Sequence, residues 1–268
     1  LIYAKSNTMK KAIFSTEISL LRRTIQRLLR RKATANLTKI LRKTHSADVA
    51  LLMRGFSGSE QKTIFSLCPT FNHKANVLEE LDESLIENVL MDESSINISK
   101  MFVYLDTNDQ AAIISMFPNE KQKEILKKIE VEDLEDVEEI MSYPDDSAGS
   151  IMTKETFTLN QNTTIKEAIK KLQSFPENDK IFYLYVLDDK EKLVGVISLR
   201  NLVTSKNTTK LKDMMIKDIH AATSETDQEE VAKTVAQYNY LALPVVNRQN
   251  RFLGIVTIDD VVDIIREE

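Results

Sequence analysis

The sequence predicts an α + α/β chain: an N-terminal α-superhelical domain followed by two β-α-β-β-α units. Three observations carry this reading. Residues 46–142 hold two glycines and two prolines, with apolar residues at helical spacing. Past residue 151 that pattern gives way to β-rich runs joined by charged turns. Those runs then recur, in order, 59 residues further on.

The predicted boundaries are a basic arm over 1–45, a helical domain over 46–142, a linker over 143–150 and the two mixed units over 151–210 and 211–268. With 268 residues, each domain is large enough to bury a core. No stretch approaches the ~18 uncharged apolar residues of a membrane helix, so this piece itself is expected to be soluble. One cysteine, Cys68, rules out an internal disulfide, and three scattered histidines argue against structural zinc.

Charge is unevenly placed. Residues 1–45 carry 12 Lys/Arg against one acid, Glu17, while residues 46–268 carry 24 against 40 acids. The acidic body argues against nucleic acid as the partner. In the arm, "LLRRTIQRLLRRK" (20–32) places Leu21, Ile25, Leu28 and Leu29 at helical spacing between arginines. Two readings of this helix stay open: docking on an acidic domain, or contact with anionic lipid headgroups.

Inside the helical domain, "FSGSEQKTIF" (56–65) aligns with "FPNEKQKEIL" (117–126) at an offset of 61. Ser57–Glu60 and Thr107–Gln110 each fit a capping box. "VEDLEDVEEI" (131–140) repeats apolar residues between acids, which reads as a solvated helix or a surface for divalent cations.

Then comes "YPDDSAGSIMT" (143–153), in which Pro144 and the backbone freedom of Gly149 are expected to end the preceding helix. "FYLYVLD" (182–188) and "LVGVISL" (193–199) match "LALPVVN" (241–247) and "FLGIVTI" (252–258). The matches include Val186/Val245, Gly195/Gly254 and Ser198/Thr257. A helix precedes each pair, with capping boxes read at Thr164–Glu167 and Thr226–Glu229.

The doubled unit resembles a tandem pair of CBS domains. Together with "YPDDSAGSIMT", "TDQEEVA" and "LGIVTIDDVVDII", the chain resembles the cytosolic region of MgtE-type magnesium transporters. The resemblance implies a Mg²⁺-sensing regulatory region on the cytoplasmic face of the inner membrane. It implies a homodimer through the CBS domains and a transmembrane pore outside this chain. Mg²⁺ between the acidic N domain and the CBS pair would favour the closed state. The metal positions it implies are Asp227, Glu229, Asp260, Asp259, Asp263, Gly149 and Glu268. Asp145 and Asp146 are expected only as outer-shell groups. Asn108, Ala112 and Asn239 stand where the family offers acids.

The resemblance also implies an adenine nucleotide, ATP, in the first CBS unit. Tyr183, Ser198, Arg200 and Asn201 are the positions for it, with Asn201 replacing the ribose-binding Asp. The rival function is a free-standing CBS-pair adenine-nucleotide sensor that regulates another protein. A chain with five glycines, no Walker loop and no dinucleotide fingerprint is not read as an enzyme.

Overall fold

The computed structural model describes residues 18–175 and 181–267. The first 17 residues of the basic arm, and Glu268, lie outside them. The chain divides into two compact units. Unit 1 runs to Leu105 and takes in Met116–Ile129; unit 2 is Asp106–Ser115 together with the chain from Glu130 onward.

Unit 1 opens with α1 (18–30), α2 (Thr34–Leu41) and α3 (Ser46–Met53). Next come α4 (Gly58–Ser66), α5 (Phe71–Leu78), α6 (Glu83–Leu90) and α7 (Ser95–Phe102). Helix α8 (Thr107–Ser115) belongs to unit 2, and α9 (Asn119–Leu126) returns to unit 1. From α3 on, alternate helices stack: α3 on α5, α4 on α6, α5 on α7, and α7 on α9. Each short helix buries its apolar face on a neighbour two places away, as a superhelix requires.

The 61-residue repeat has a hydrogen bond at its centre. Gln61 Nε2 donates to the Phe56 carbonyl at 2.9 Å, and Gln122 Nε2 donates to the Phe117 carbonyl at 2.8 Å. The capping box at Ser57 is formed: Glu60 accepts from the Ser57 N–H and hydroxyl. Those bonds hold the Glu60 carboxyl below its ordinary pKa.

Unit 2 contains α10 (Val131–Met141), α11 (Ala148–Ile151) and two small sheets. The first sheet is β1 (Thr158–Asn160), β2 (Tyr183–Leu187) and β3 (Leu193–Ser198), with helices α12 (Ile165–Gln173) and α13 (Leu199–Thr204). The second is β4 (Ala222–Thr223), β5 (Ala242–Val246) and β6 (Phe252–Thr257), with α14 (Gln228–Tyr238) and α15 (Ile258–Glu267). In both, the first strand runs parallel to the second and the second antiparallel to the third. The repeat holds to the register. Val186 faces Gly195 and Val245 faces Gly254, and each sheet has an irregularity just after that pair.

The two sheets share a seam. Tyr185, fully buried, stacks on Phe252 with ring centroids 5.1 Å apart, and Leu193, Ala242, Val246 and Ile255 complete the cluster. The turns also cross over: the Leu193 N–H donates to the Asn250 carbonyl and the Phe252 N–H to that of Glu191.

Three local expectations need correction. The left-handed residue in the 143–153 stretch is Asp146 (φ 59°), not Gly149. Gly149 is required instead by close approach, since a Cβ there would lie 2.4 Å from the Tyr143 ring. Thr107 and Thr226 do not cap their helices. The Thr107 hydroxyl donates to Glu155 at 2.8 Å, and that of Thr226 bonds within the 223–226 turn. Asp227 caps α14, because its carboxylate reaches the Glu229 N–H at 2.8 Å.

Cys68 in unit 1 is buried, and burial pushes its thiol up to about 12 despite nearby Lys74. It should therefore react with a thiol reagent at pH 8 only as fast as the protein opens. Reaction rate against urea concentration checks this. In unit 2, a methyl at Gly254 would meet the Thr153 carbonyl oxygen at 2.5 Å, and backbone cannot step aside. Gly254→Ala should cost about 1–3 kcal/mol, visible as a lower thermal midpoint by circular dichroism. Gly58→Ala, whose methyl would sit 3.4 Å from Asn88, should not lower it.

Candidate functional site

Unit 2 gathers the singled-out residues in three places. The first is where the 143–153 stretch lies along the start of α14. Ala148 N–H donates to the Thr226 carbonyl at 2.7 Å and Gly149 N–H to that of Ser224 at 3.0 Å. Gln228 N–H donates to the Asp146 carbonyl at 2.8 Å, its side-chain amide donates to the Asp146 carboxylate at 3.2 Å, and Ser147 bridges to Asp227. Gly149 and Asp227, far apart in sequence, are thus brought alongside each other, with Asp146 beside them. Asp227 and Glu229 are exposed at the positive end of α14. Glu229 also pairs with Lys233 one turn on, at 3.1 Å.

The second place is the start of α15. Thr257 is buried and caps the helix reciprocally with Asp260. The Thr257 N–H and hydroxyl donate to Asp260 Oδ2 at 2.9 and 2.7 Å. The other oxygen, Oδ1, accepts from Asn108 Nδ2 of α8 at 3.0 Å. Beside this bond, Glu155 Oε2 accepts from the Thr107 hydroxyl, from the Thr107 N–H at 3.3 Å and, very closely, from the Thr153 hydroxyl. Lys154 reaches Glu139 of α10 at 2.8 Å, where Tyr143 also donates at 2.8 Å. Burial raises the Glu139 carboxyl, but these two donors outweigh it and hold the group below its ordinary pKa. Burial leaves Asp136 on the same helix raised. Asp259 and Asp263 are exposed on α15.

Asn108 was read from the sequence only as a missing acid. Its amide does what an acid cannot: it donates to a carboxylate without a cation between them. Thr107 was read only as a helix cap, Thr153 only as part of the 143–153 stretch, and Glu155 not at all. Hydroxyls beside a lone glutamate carry no spacing signal.

The donor chemistry separates the metal candidates. Asp227 and Glu229 are exposed, which lets a hard ion keep most of its water, although the positive end of α14 and Lys233 compete for the same carboxylates. Both oxygens of Asp260 already accept from protein donors, so a cation there would compete with Asn108 and with the cap. Among the described residues, no group of three or more His, Cys, Asp or Glu is placed to hold a metal ion.

The third place is the end of β3. Tyr183 lies directly across the strand pair from Ser198. Ser198 caps α13 by accepting from the Asn201 N–H at 3.2 Å, with Arg200 and Asn201 exposed on the first turn. The four nucleotide candidates are therefore local to one another. An aromatic group that sequence reading missed is Tyr238 stacked on Tyr240 (5.5 Å), with His220 Nδ1 2.6 Å from the Tyr240 hydroxyl.

Comparison with known proteins places these features. Residues 44–146 match the MgtE intracellular N domain, and residues 148–206 and 211–267 each match a CBS domain. The magnesium transporter MgtE of Bacillus subtilis is 37% identical over 165 residues, 61% of this chain and 37% of that protein. MgtE of Thermus thermophilus is 38% identical over 134 residues, 50% of this chain and 30% of that protein. The chain thus spans about a third of the curated relatives it matches. The cytosolic domain of the Mg²⁺ channel MgtE in complex with ATP superposes with a TM-score of 0.82 at 29% identity, covering 91% of this chain and 99% of that one. The soluble part of a magnesium transporter shares the fold, with a TM-score of 0.78 at 23% identity over 93% of this chain and 98% of that one. No helix among the described residues is long and apolar enough to cross a membrane.

The Asn108–Asp260 bond yields a test. Asn108→Ala removes a bond to a charged group and should cost about 1.5–3 kcal/mol, with no dependence on MgCl₂. Asn108→Asp sets two carboxylates against each other. It should lower the thermal midpoint further in EDTA and recover part of the loss in MgCl₂.

Proposed function

We propose a function from one premise: the chain carries an MgtE N domain and a tandem CBS pair, is homologous to MgtE magnesium transporters and is structurally like the MgtE cytosolic domain. On this reading it is the cytosolic Mg²⁺-sensing region of a magnesium transporter, at the cytoplasmic face of the membrane. It works as a homodimer through its CBS domains beneath a pore outside this chain. Mg²⁺ bound among its carboxylates favours the closed state. The role is regulation and not catalysis.

The observation that carries the reading is a set of exposed acids on two packed helices, whose carboxylates are not gathered into one group among the described residues. Asp227 and Glu229 begin α14, Asp259 and Asp263 lie on α15, and α14 packs against α15. Like charges held on neighbouring elements repel, and a hard divalent cation relieves that repulsion. Such an ion shifts an equilibrium only if one state gathers more carboxylates than the other. Asp227 and Glu229 supply exposed oxygens for it, with the Gly149 segment alongside; Asp260 keeps α8 attached through Asn108.

A second reading, adenine-nucleotide sensing, has an observation of its own. Tyr183 faces Ser198 next to exposed Arg200, and a structural relative was crystallised with ATP. Asn201 lacks the carboxylate that would accept from a ribose hydroxyl.

Titration of the chain with MgCl₂, followed by small-angle scattering and protease resistance, tests the first reading. Compaction in the millimolar range is expected, and Asp227→Asn with Glu229→Gln should move its midpoint to higher Mg²⁺. No response to Mg²⁺ alongside a clear response to ATP would replace the first reading with the second.

A further inference from the structure

Residues 18–45 hold nine Lys/Arg and no acid. All nine are exposed: Arg22, Arg23, Arg27, Arg30, Arg31, Lys32, Lys39, Arg42 and Lys43. None of them forms an ion pair with an acid among the described residues. Arg30 acts only through space, lowering Glu60.

Helix α1 has two faces. Ile25 is 1% exposed, and Leu21, Leu28 and Leu29 are half-buried, so the apolar face packs within unit 1. The opposite face carries Arg23, Arg27 and Arg30 at i, i+4 and i+7. Arg22 flanks this stripe with its guanidinium over Gly55, where an added Cβ would meet it at 2.4 Å. Leu20, 64% exposed, lies at the stripe's other edge.

We infer that this stripe is a docking face for an anionic lipid surface, held by charge and not by insertion. The inference rests on the proposed function, which puts the chain beside a membrane. Insertion would need the apolar face, and unit 1 already covers it. What remains is a convex row of fixed cations, suited to a broad anionic surface such as a leaflet rich in acidic phospholipid. Glu60 faces Arg30 and offsets part of its charge, while acids farther away than a Debye length of about 8 Å are screened at physiological salt. The cavity of about 430 Å³ beside Arg30 and Lys32 is lined by leucines and Glu60 and holds no aromatic ring on which a polynucleotide base could stack.

The test is co-sedimentation of the whole chain with phosphatidylcholine vesicles, with and without a third phosphatidylglycerol, in EDTA. Binding is expected only to the anionic vesicles, with release at high salt. Each cation near such a surface contributes about fivefold in partitioning. Replacing Arg23, Arg27 and Arg30 by Gln should therefore weaken binding about a hundredfold, and replacing them by Lys should keep it. Circular dichroism confirms that both triple variants fold. Absence of binding to anionic vesicles overturns the inference, as does undiminished binding by the Gln variant or equal binding to neutral vesicles. Tighter retention of a nucleic-acid fragment than of vesicles would assign the face to polynucleotide and also overturn it. Because EDTA is present, failure here leaves the Mg²⁺-driven compaction untouched.

Discussion

Neither sheet of unit 2 could stand alone. Each has three strands, and the first strand of each has only two or three residues. Their stability comes from the seam in which Tyr185 lies on Phe252. Much else in the unit depends on that seam. The chain enters the first repeat by pairing with the second: Thr153 exchanges two backbone hydrogen bonds with Ile255 of β6. Strand β6 then runs into Thr257, and Thr257 fixes Asp260. The position of the acid that holds α8 is therefore inherited from the packing of the two sheets. The repeat is also broken where it matters. Gly195 makes room for Met215, while the matching Gly254 makes room for the Thr153 backbone.

Unit 2 settles its negative charge in different ways, and the differences sort structural acids from candidate ligands. Asp260 and Glu155 accept from hydroxyls and amides. Glu139 takes Lys154 and Tyr143. Asp227 leans on the N-terminus of α14. At Asp260, Glu155 and Glu139 the protein itself supplies the donors, so those acids stay in place without any ion, whereas Asp227 is both a cap and exposed. Glu229, which also pairs with Lys233, Asp259 and Asp263 lie exposed to water, as does Asp227. A sensing role suits acids of this second kind, because an ion bound mostly through its own water leaves easily.

Much of this architecture is legible in the sequence. Two internal repeats gave the doubled unit and the helical stack, because side-chain period and register survive in the order of residues. Partner choice does not survive in the same way. Ile113 and Ile114 of α8 read like the apolar face of any short helix, and nothing local says that they belong with unit 2. The capping boxes show a finer limit. Thr164 caps as read, but Thr226 loses the role to Asp227 next to it, a strong cap that the S/T-x-x-E pattern does not weigh. Gly149 was read as a turn residue. Its actual constraint is an aromatic ring from six residues back, which only three dimensions reveal. Asn108 shows the same limit in the site: judged as a ligand it is a loss, and judged as a donor beside Asp260 it is a contact.

The basic helix shows how one pattern can satisfy two readings that looked like rivals. Docking of α1 on a domain and contact with an anionic surface exclude each other only if both need the same face of the helix. They need different halves of it. Ile25 and its neighbours take the inner half, and the arginines at 23, 27 and 30 keep the outer half. Docking also changes what the outer half can do. A loose basic tail must give up conformational freedom when it binds, whereas arginines fixed on a folded helix have already lost the backbone part of that freedom. The burial of one face thus prepares the other.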